Sequence, residues 1–382
     1  MGIRACLRTL HFWANNPKKH SHKKILSRIN LPVWVANPRE LLLNHRDSFL
    51  LILITAMKIL TILRGLIDEN PLSQADLEEL LEIESLNFQQ TNPLILQERA
   101  ELLTILWPRV WQKCQELGIN QPNQILISCW RFWIPWALEL RSHAKPLIQG
   151  ILAPQGTGKT TLTSIMSIIL AYFDLKVNNL SLDDIYKTYN ERIKLRQKDE
   201  RLRWRGPPGT HDIALGIKVL EQVCQQESPI LIPRFDKSLH QGQGDRIAAE
   251  QVEGVDILFF EGWFVGMNPV EETVFDHAPD PINSQEDRQF ARDNNQRLRE
   301  YLPLWSKIDR LLILYPLDYR YSLQWRQAAE AKGGMTPSEI EEFVKYFWKS
   351  LHPQLFLPPL LKQAELVVEI NQDHSLGKIS YQ

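Results

Sequence analysis

"ILAPQGTGKTTL", residues 151–162, decides how this chain is read. It departs at one position from the phosphate-binding pattern G-x-x-x-x-G-K-[ST]. Ala153 stands where the first glycine belongs, and Pro154, Gln155, Gly156, Thr157, Gly158, Lys159 and Thr160 follow. Gly156 and Gly158 precede the lysine, where the backbone must bend sharply and turn its N–H groups toward an anion. The absence of a side chain permits both. Residue 153 falls where a strand ends, and a methyl group fits there at negative φ. The alanine is therefore tolerable, and Ala153 through Thr161 are the candidate nucleotide contacts.

The flanks agree with that reading. Residues 147–152 read as a buried strand and 159–172 as a helix, whose N-terminus adds partial positive charge beneath a bound phosphate. Lys159 is then expected to bridge the β- and γ-phosphates and Thr160 to hold Mg²⁺. A guanine-specific switch protein would carry N-K-x-D on a later strand. None is present, which favours ATP over GTP.

Farther out, the sequence divides near residue 145. Beyond it, 146–153, 178–184, 228–235, 255–262, 310–316 and 365–371 read as strands separated by stretches long enough for crossover helices. That rhythm predicts an α/β fold, a mostly parallel sheet with helices on both faces. Thr336, Pro337 and Glu339 signal a helix start, followed by an apolar stripe through Ile340, Phe343, Val344, Phe347 and Leu351. Before residue 145 the signals are helical. Ser73 and Asp76 form a capping box, with Leu77, Leu80 and Leu81 on one face. The acids of 68–84 read as a solvated face, and Trp130, Phe132, Trp133 and Trp136 as core or a domain interface. The expected organisation is a helical domain over 1–145 and a phosphate-loop α/β domain over 146–382.

Bulk properties narrow the classes. A net charge of -1 argues against a dedicated nucleic-acid binder. Cys6, Cys114, Cys129 and Cys224 show neither zinc nor disulfide spacing and read as reduced thiols, implying a cytoplasmic protein. Residues 1–38 hold seven Lys or Arg and no acid. They read as a solvated tail, with an organelle transit peptide as the alternative. The apolar run within 49–63 contains Lys58 and is shorter than the roughly 20 residues of a membrane span. It is expected to be a buried helix, so no membrane association is expected.

Strand ends carry the remaining candidates. A parallel sheet binds ligands beyond the carboxyl ends of its strands. There stand Asp183 and Asp184, one to accept a proton from an attacking hydroxyl and one to support Mg²⁺. Glu261 closes "VDILFFEG" (255–262), an apolar run ending in an acid, suited to Mg²⁺ or to orienting a nucleophile. Residues 185–211 carry eight Lys or Arg against three acids. They lead to "RGPPGTHD" (205–212), with Arg205, His211 and Asp212. "PRFDKSLHQGQGDR" (233–246) adds Arg234, Lys237 and Arg246. Two cation-rich loops on one rim suit an anionic acceptor such as a carboxylate. A helix over 319–332, with Arg320, Arg326 and Lys332, reads as a lid in which Arg326 stabilises transferred charge.

Together "APQGTGKTT", "SLDDIY", "RGPPGTHD", "PRFDKS…GQGDR", "FFEGWFVG", "LQWRQAAE" and "GMTPSEIEEFV" resemble the D-glycerate 3-kinases of plants and cyanobacteria. These lie in the phosphoribulokinase, uridine kinase and pantothenate kinase group of P-loop kinases, in which alanine at the position of Ala153 is usual. The resemblance covers about 147–360. It implies ATP-dependent phosphorylation of the 3-hydroxyl of D-glycerate in photorespiratory carbon salvage, with Asp183 as base; Lys159, Glu261 and Arg326, read from the residues above, are the other catalytic candidates. Asp184, Arg205, His211, Asp212, Arg234, Lys237 and Arg246 become candidate acceptor contacts. Two rival readings are a catalytically silent ATP-binding regulator and a protein anchored to a membrane through 49–63.

Overall fold

The computed structural model describes residues 46–85, 92–330 and 335–382. The basic segment 1–38, Cys6 and Lys332 lie outside them. Helices α1 (Arg46–Ile67), α2 (Gln74–Ser85), α3 (Pro93–Glu116), α4 (Pro122–Ser128) and α5 (Ile134–Ser142) come first, with a π-helical turn at Cys129–Trp133 before α5. The chain then runs β1 (Leu147–Leu152), α6 (Lys159–Ala171), β2 (Val177–Ser181), α7 (Tyr189–Lys198) and α8 (Ile213–Cys224). Next come β3 (Ile230–Asp236), β4 (Asp245–Val252), β5 (Ile257–Gly262), α9 (Gln285–Arg297) and β6 (Arg310–Pro316). Helices α10 (Tyr321–Glu330), α11 (Pro337–Ser350) and α12 (Pro353–Leu361) and strands β7 (Leu366–Ile370) and β8 (Leu376–Tyr381) complete it.

The main sheet has strand order β2-β5-β1-β6-β7-β8. All its pairings are parallel except β7 with β8. Period-two alternation sorts each central strand between two layers. Leu147 and Ile151 of β1, with Ile257 and Phe259 of β5, face a core shared with α6 and the N-terminal helices. Ile148, Leu152, Leu258 and Phe260 face the opposite layer, built with α8 and α12. Both faces are thus covered, which is why these strands are mostly apolar.

The core is continuous from α1 to β8 on the first face. Trp136 meets Phe259 of the sheet at 5.7 Å between ring centroids. Helix α1 contains the apolar run 49–63 and buries Ala56, Ile59, Leu60, Leu63 and Leu66, while Lys58 pairs with Glu79. Among the described residues no helix is long and apolar enough to cross a membrane. The capping boxes at Ser73 and Thr336 form as expected.

Three expectations need correction. Residues 228–235 do form a strand, but β3 pairs only with β4, in a separate antiparallel ribbon rather than in the parallel sheet. Strand β2 stops at Ser181, because the Ser181 hydroxyl and the Asp184 carboxylate cap a 3-10 turn, Leu182–Ile185. The acidic face of α2 is not wholly solvated. Glu84 is buried, accepts a 2.9 Å bond from Trp130 Nε1 and lies 3.6 Å from Arg99. A carboxylate enters a core only with such partners.

Candidate active site

The phosphate loop joins β1 to α6. Gly156 and Gly158 have φ of 79° and 98°, the left-handed region that favours glycine. A Cβ on Gly156 would also stand 2.6 Å from Cβ of Trp325. Ala153 is buried at the strand end, and its N–H donates to the Gly262 carbonyl at 3.1 Å. The methyl group there fills core space, which leaves no need for glycine. Lys159 opens α6, and its ammonium donates to the Ala153 and Pro154 carbonyls at 3.0 and 3.2 Å. Burial lowers its pKa, and Glu261 and Asp183 pull it back up.

Register fixes what surrounds that lysine. Ser181 of β2 is level with Glu261 of β5, and Glu261 is level with Ile151 of β1, two residues before the loop. The loop, Glu261 and the turn carrying Asp183 therefore share one rim. Glu261 is 6% exposed, and its Oε2 has no hydrogen-bond partner. Burial raises its pKa against the opposing pull of Lys159. Asp183 accepts a 2.6 Å ion pair from Lys237. Burial alone would raise the Asp183 carboxyl, but the Lys237 charge, with the Tyr186 hydroxyl, holds it down at about 2.

The other acidic candidate is committed elsewhere. Asp184 Oδ2 accepts from the Ser181 N–H at 3.0 Å and from Arg234 at 3.1 Å, and its Oδ1 accepts from the Phe235 N–H at 3.2 Å. Arg234 in turn reaches Asn179 O and Glu250. The two make a clasp that fastens the β3–β4 ribbon to the edge strand β2. Arg246 and Asp212 form a second clasp at 2.8 Å, in which Asp212 also caps α8 and Arg246 also reaches the Tyr186 carbonyl. These four candidates hold the rim together through bonds to one another and to the backbone.

"RGPPGTHD" is a locked turn. The Thr210 hydroxyl donates to Pro207 O and accepts from the Gly206 N–H. His211 is wholly buried, stacked on Tyr186 with ring centroids 4.5 Å apart. The Tyr301 hydroxyl accepts from the Gly209 N–H at 2.9 Å and contacts His211 Nδ1 at 2.7 Å. The tautomer in which that hydroxyl donates to Nδ1 carries the ring proton on Nε2. His211 Nε2 has no partner. Burial lowers the His211 pKa to about 3, so the ring is neutral at ordinary pH. Arg205 donates to the Gly242 carbonyl at 2.7 Å and faces the same side of the rim.

Helix α10, expected to act as a lid, lies against the phosphate loop through Trp325 rather than Arg326. Trp325 presses on Gly156, while Arg326 pairs with Glu330 and lies 5.2 Å from the Phe343 ring centroid. Arg320 pairs with Asp318. His374, in the β7–β8 turn, donates from Nε2 to the Gly156 carbonyl at 2.8 Å and stacks on Trp325. Sequence reading missed Trp325, His374, Tyr186 and Tyr301 as parts of the site. Tyr186 and Trp325 had a local signal, inside "SLDDIY" and "LQWRQAAE".

No family model matches the chain. The uncharacterized kinase mug58 of Schizosaccharomyces pombe is 31% identical over 222 residues, covering 54% of this chain and 80% of that protein. The chain belongs to the glycerate-kinase-like family of P-loop kinases. The chloroplastic D-glycerate 3-kinase of Arabidopsis thaliana is another relative, 31% identical over 231 residues. The match takes in 55% of this chain and about half, 49%, of that relative's length. The solved D-glycerate 3-kinase of Cryptococcus neoformans superposes with a TM-score of 0.57 at 28% identity. It covers 66% of this chain and 97% of that structure. The glycerate-kinase-like family is one of phosphotransferases, so the rim described above is its candidate catalytic centre.

Proposed function

We propose that this chain transfers the γ-phosphoryl group of ATP to the 3-hydroxyl of D-glycerate, giving 3-phosphoglycerate and ADP. The observation that carries the reading is the rim itself. Lys159, Glu261 and an Asp183–Lys237 ion pair converge where β1, β5 and β2 end, beside a cation-rich ribbon suited to a carboxylate acceptor. The names of the relatives point to the same acceptor.

The loop N–H groups and Lys159 hold the phosphates in line with the acceptor. The attacking oxygen forms its bond to the γ-phosphorus as the bond to the bridging oxygen breaks, and ADP leaves with that electron pair. The hydroxyl proton passes to Asp183. With its pKa held at about 2, Asp183 is an orienting acceptor rather than a strong base. That is enough for a loose transition state in which the proton moves late. Most of the acceleration then comes from positioning and charge stabilisation.

The residues also fit Mg²⁺. Glu261 Oε2 is a buried acceptor without a partner, and Thr160 stands exposed at the first turn of α6. Among the described residues no three His, Cys, Asp or Glu converge as a cage, as suits an ion held largely by phosphate oxygens and water. Thr160 and Glu261, with Asp183 beside them, would hold it. Once bound it would neutralise charge on the β- and γ-oxygens.

The test is a coupled ADP-release assay on the full chain with ATP, Mg²⁺ and D-glycerate, run beside uridine, pantothenate and ribulose 5-phosphate. D-glycerate is expected to give the highest kcat/KM. Turnover of one of the others with none of D-glycerate would move the acceptor elsewhere within the same class. Photorespiratory carbon salvage is the role that D-glycerate as acceptor implies.

A further inference from the structure

We propose that Arg192, a residue outside the family-like motifs, forms with Arg205 the clamp that grips the acceptor's carboxylate, with His211 Nε2–H as the third donor. The inference rests on the acceptor being a small hydroxy acid, as proposed above.

A cavity of about 190 Å³ opens between α7, residues 202–210 and the ribbon loop 241–243. Four arginines line it, Arg192, Arg196, Arg203 and Arg205, and no carboxylate does. Arg203 is neutralised by Glu342 at 2.7 Å and Arg196 is exposed. The half-buried pair Arg192 and Arg205 is different. Both spend their bonds on neutral carbonyls of one loop, Arg192 on Gln243 and Gly244 and Arg205 on Gly242. Both lie over the Phe235 ring, at 5.2 and 5.7 Å. Two like charges are thereby brought together with no ion pair to either guanidinium among the described residues, Asp245 acting on Arg192 only through its field, and an incoming anion relieves that arrangement.

Orphaned donors point the same way. Arg192 Nε is buried without a partner, and so is His211 Nε2. A buried donor left unpaired is destabilising, and a ligand oxygen recovers that cost. The three groups also sit on the correct side of the chemistry. His211 stacks on Tyr186, whose hydroxyl bonds Asp183, and Phe235 meets Tyr186 edge-on at 5.2 Å. The arginines, the histidine and the base thus surround one Tyr186–Phe235 wall. A carboxylate at the arginine end leaves the far hydroxyl of a three-carbon acid toward Asp183. The same ribbon delivers Lys237 to Asp183, so one element sets both ends of the acceptor.

The experiment uses the full chain, wild type and Arg192→Gln, with Arg192→Lys as the conservative variant. It measures KM for D-glycerate, KM for ATP, and the inhibition constant of D-lactate, which has the carboxylate but lacks the 3-hydroxyl. Arg192→Gln is expected to raise the D-glycerate KM and the D-lactate constant by the same factor, roughly tenfold or more. The ATP KM should stay within about twofold, and Arg192→Lys should recover part of the loss. An unchanged D-glycerate KM overturns the clamp while leaving the proposed reaction intact. So does an equal rise in the ATP KM, which would mark Arg192 as a brace for the loop. A wild-type enzyme that ignores D-glycerate and phosphorylates a neutral acceptor overturns the reaction and the clamp together.

Discussion

The two ends of the rim are built in different ways. The nucleotide end is one contiguous stretch, 153–161, and its chemistry is mostly backbone: two left-handed glycines, a helix N-terminus and a single ammonium group. The acceptor end is assembled from side chains on separate segments, 183–192, 205–212 and 234–246, held by the Asp184–Arg234 and Arg246–Asp212 clasps. A backbone site needs only local sequence to form. A side-chain site needs the tertiary fold to bring it together. The nucleotide end should therefore fail through loss of one group, and the acceptor end should respond to whatever loosens the clasps.

The largest effects separate the ends directly. Lys159→Ala removes the only side-chain charge of the phosphate loop and should lower kcat about 10²–10³-fold or more, with weaker nucleotide binding. Asp183→Asn should cost about 10²-fold or more in kcat while a fluorescent ATP analogue still binds near the wild-type affinity. If both variants lose nucleotide binding alike, the division into two ends is wrong.

A smaller effect concerns pH and belongs to the acceptor end. His211 has a folded pKa of about 3, against about 6.5 for a free histidine. Above pH 6.5 both folded and unfolded forms are neutral, and the shift has no effect on stability. Below it the unfolded chain takes a proton that the folded chain refuses, so stability declines as pH falls from 6.5 toward 3. At pH 5 the loss from this one group is on the order of 2 kcal/mol. His352, at about 4, acts in the same direction. Thermal unfolding from pH 7.5 to 5 should therefore show a falling Tm, with a shallower fall in His211→Asn. Equal slopes would mean that His211 already carries a proton in the folded protein.

The same contrast explains what was legible beforehand. The phosphate loop, its strand and its helix could be read because every determinant lies within about twenty residues. Asp183 and Glu261 could be located because a strand end is a local event. The roles of Asp184 and Arg234 could not. Both look like free charges in the sequence, and only the pairing of β3 with β4 instead of with the sheet turns them into a clasp. Arg192 has no motif around it, since its partners are loop carbonyls about fifty positions away. Arg326 was singled out for its charge, yet the helix presents Trp325 to the loop, because the space left by Gly156 admits an indole.

The smallest predicted effect sharpens the comparison, because it tests whether the nucleotide end is as self-contained as it looks. His374 comes from the last turn of the chain, more than two hundred residues from the loop it touches. Its Nε2 donates to the Gly156 carbonyl at 2.8 Å, and its ring stacks on Trp325 at 4.6 Å. Trp325 in turn donates to the Gln372 carbonyl at 2.8 Å, so the turn and the lid helix brace each other above Gly156. Truncating His374 to alanine removes one partly exposed hydrogen bond and one stack, worth about 1 kcal/mol in all. A bracing role predicts a rise of about two- to fivefold in the ATP KM, with the D-glycerate KM and kcat near wild type. An unchanged ATP KM would mean that the loop holds its shape from local sequence alone. A loss in kcat greater than tenfold would instead make the C-terminal turn part of the catalytic apparatus, because holding a carbonyl in place cannot account for so large a change.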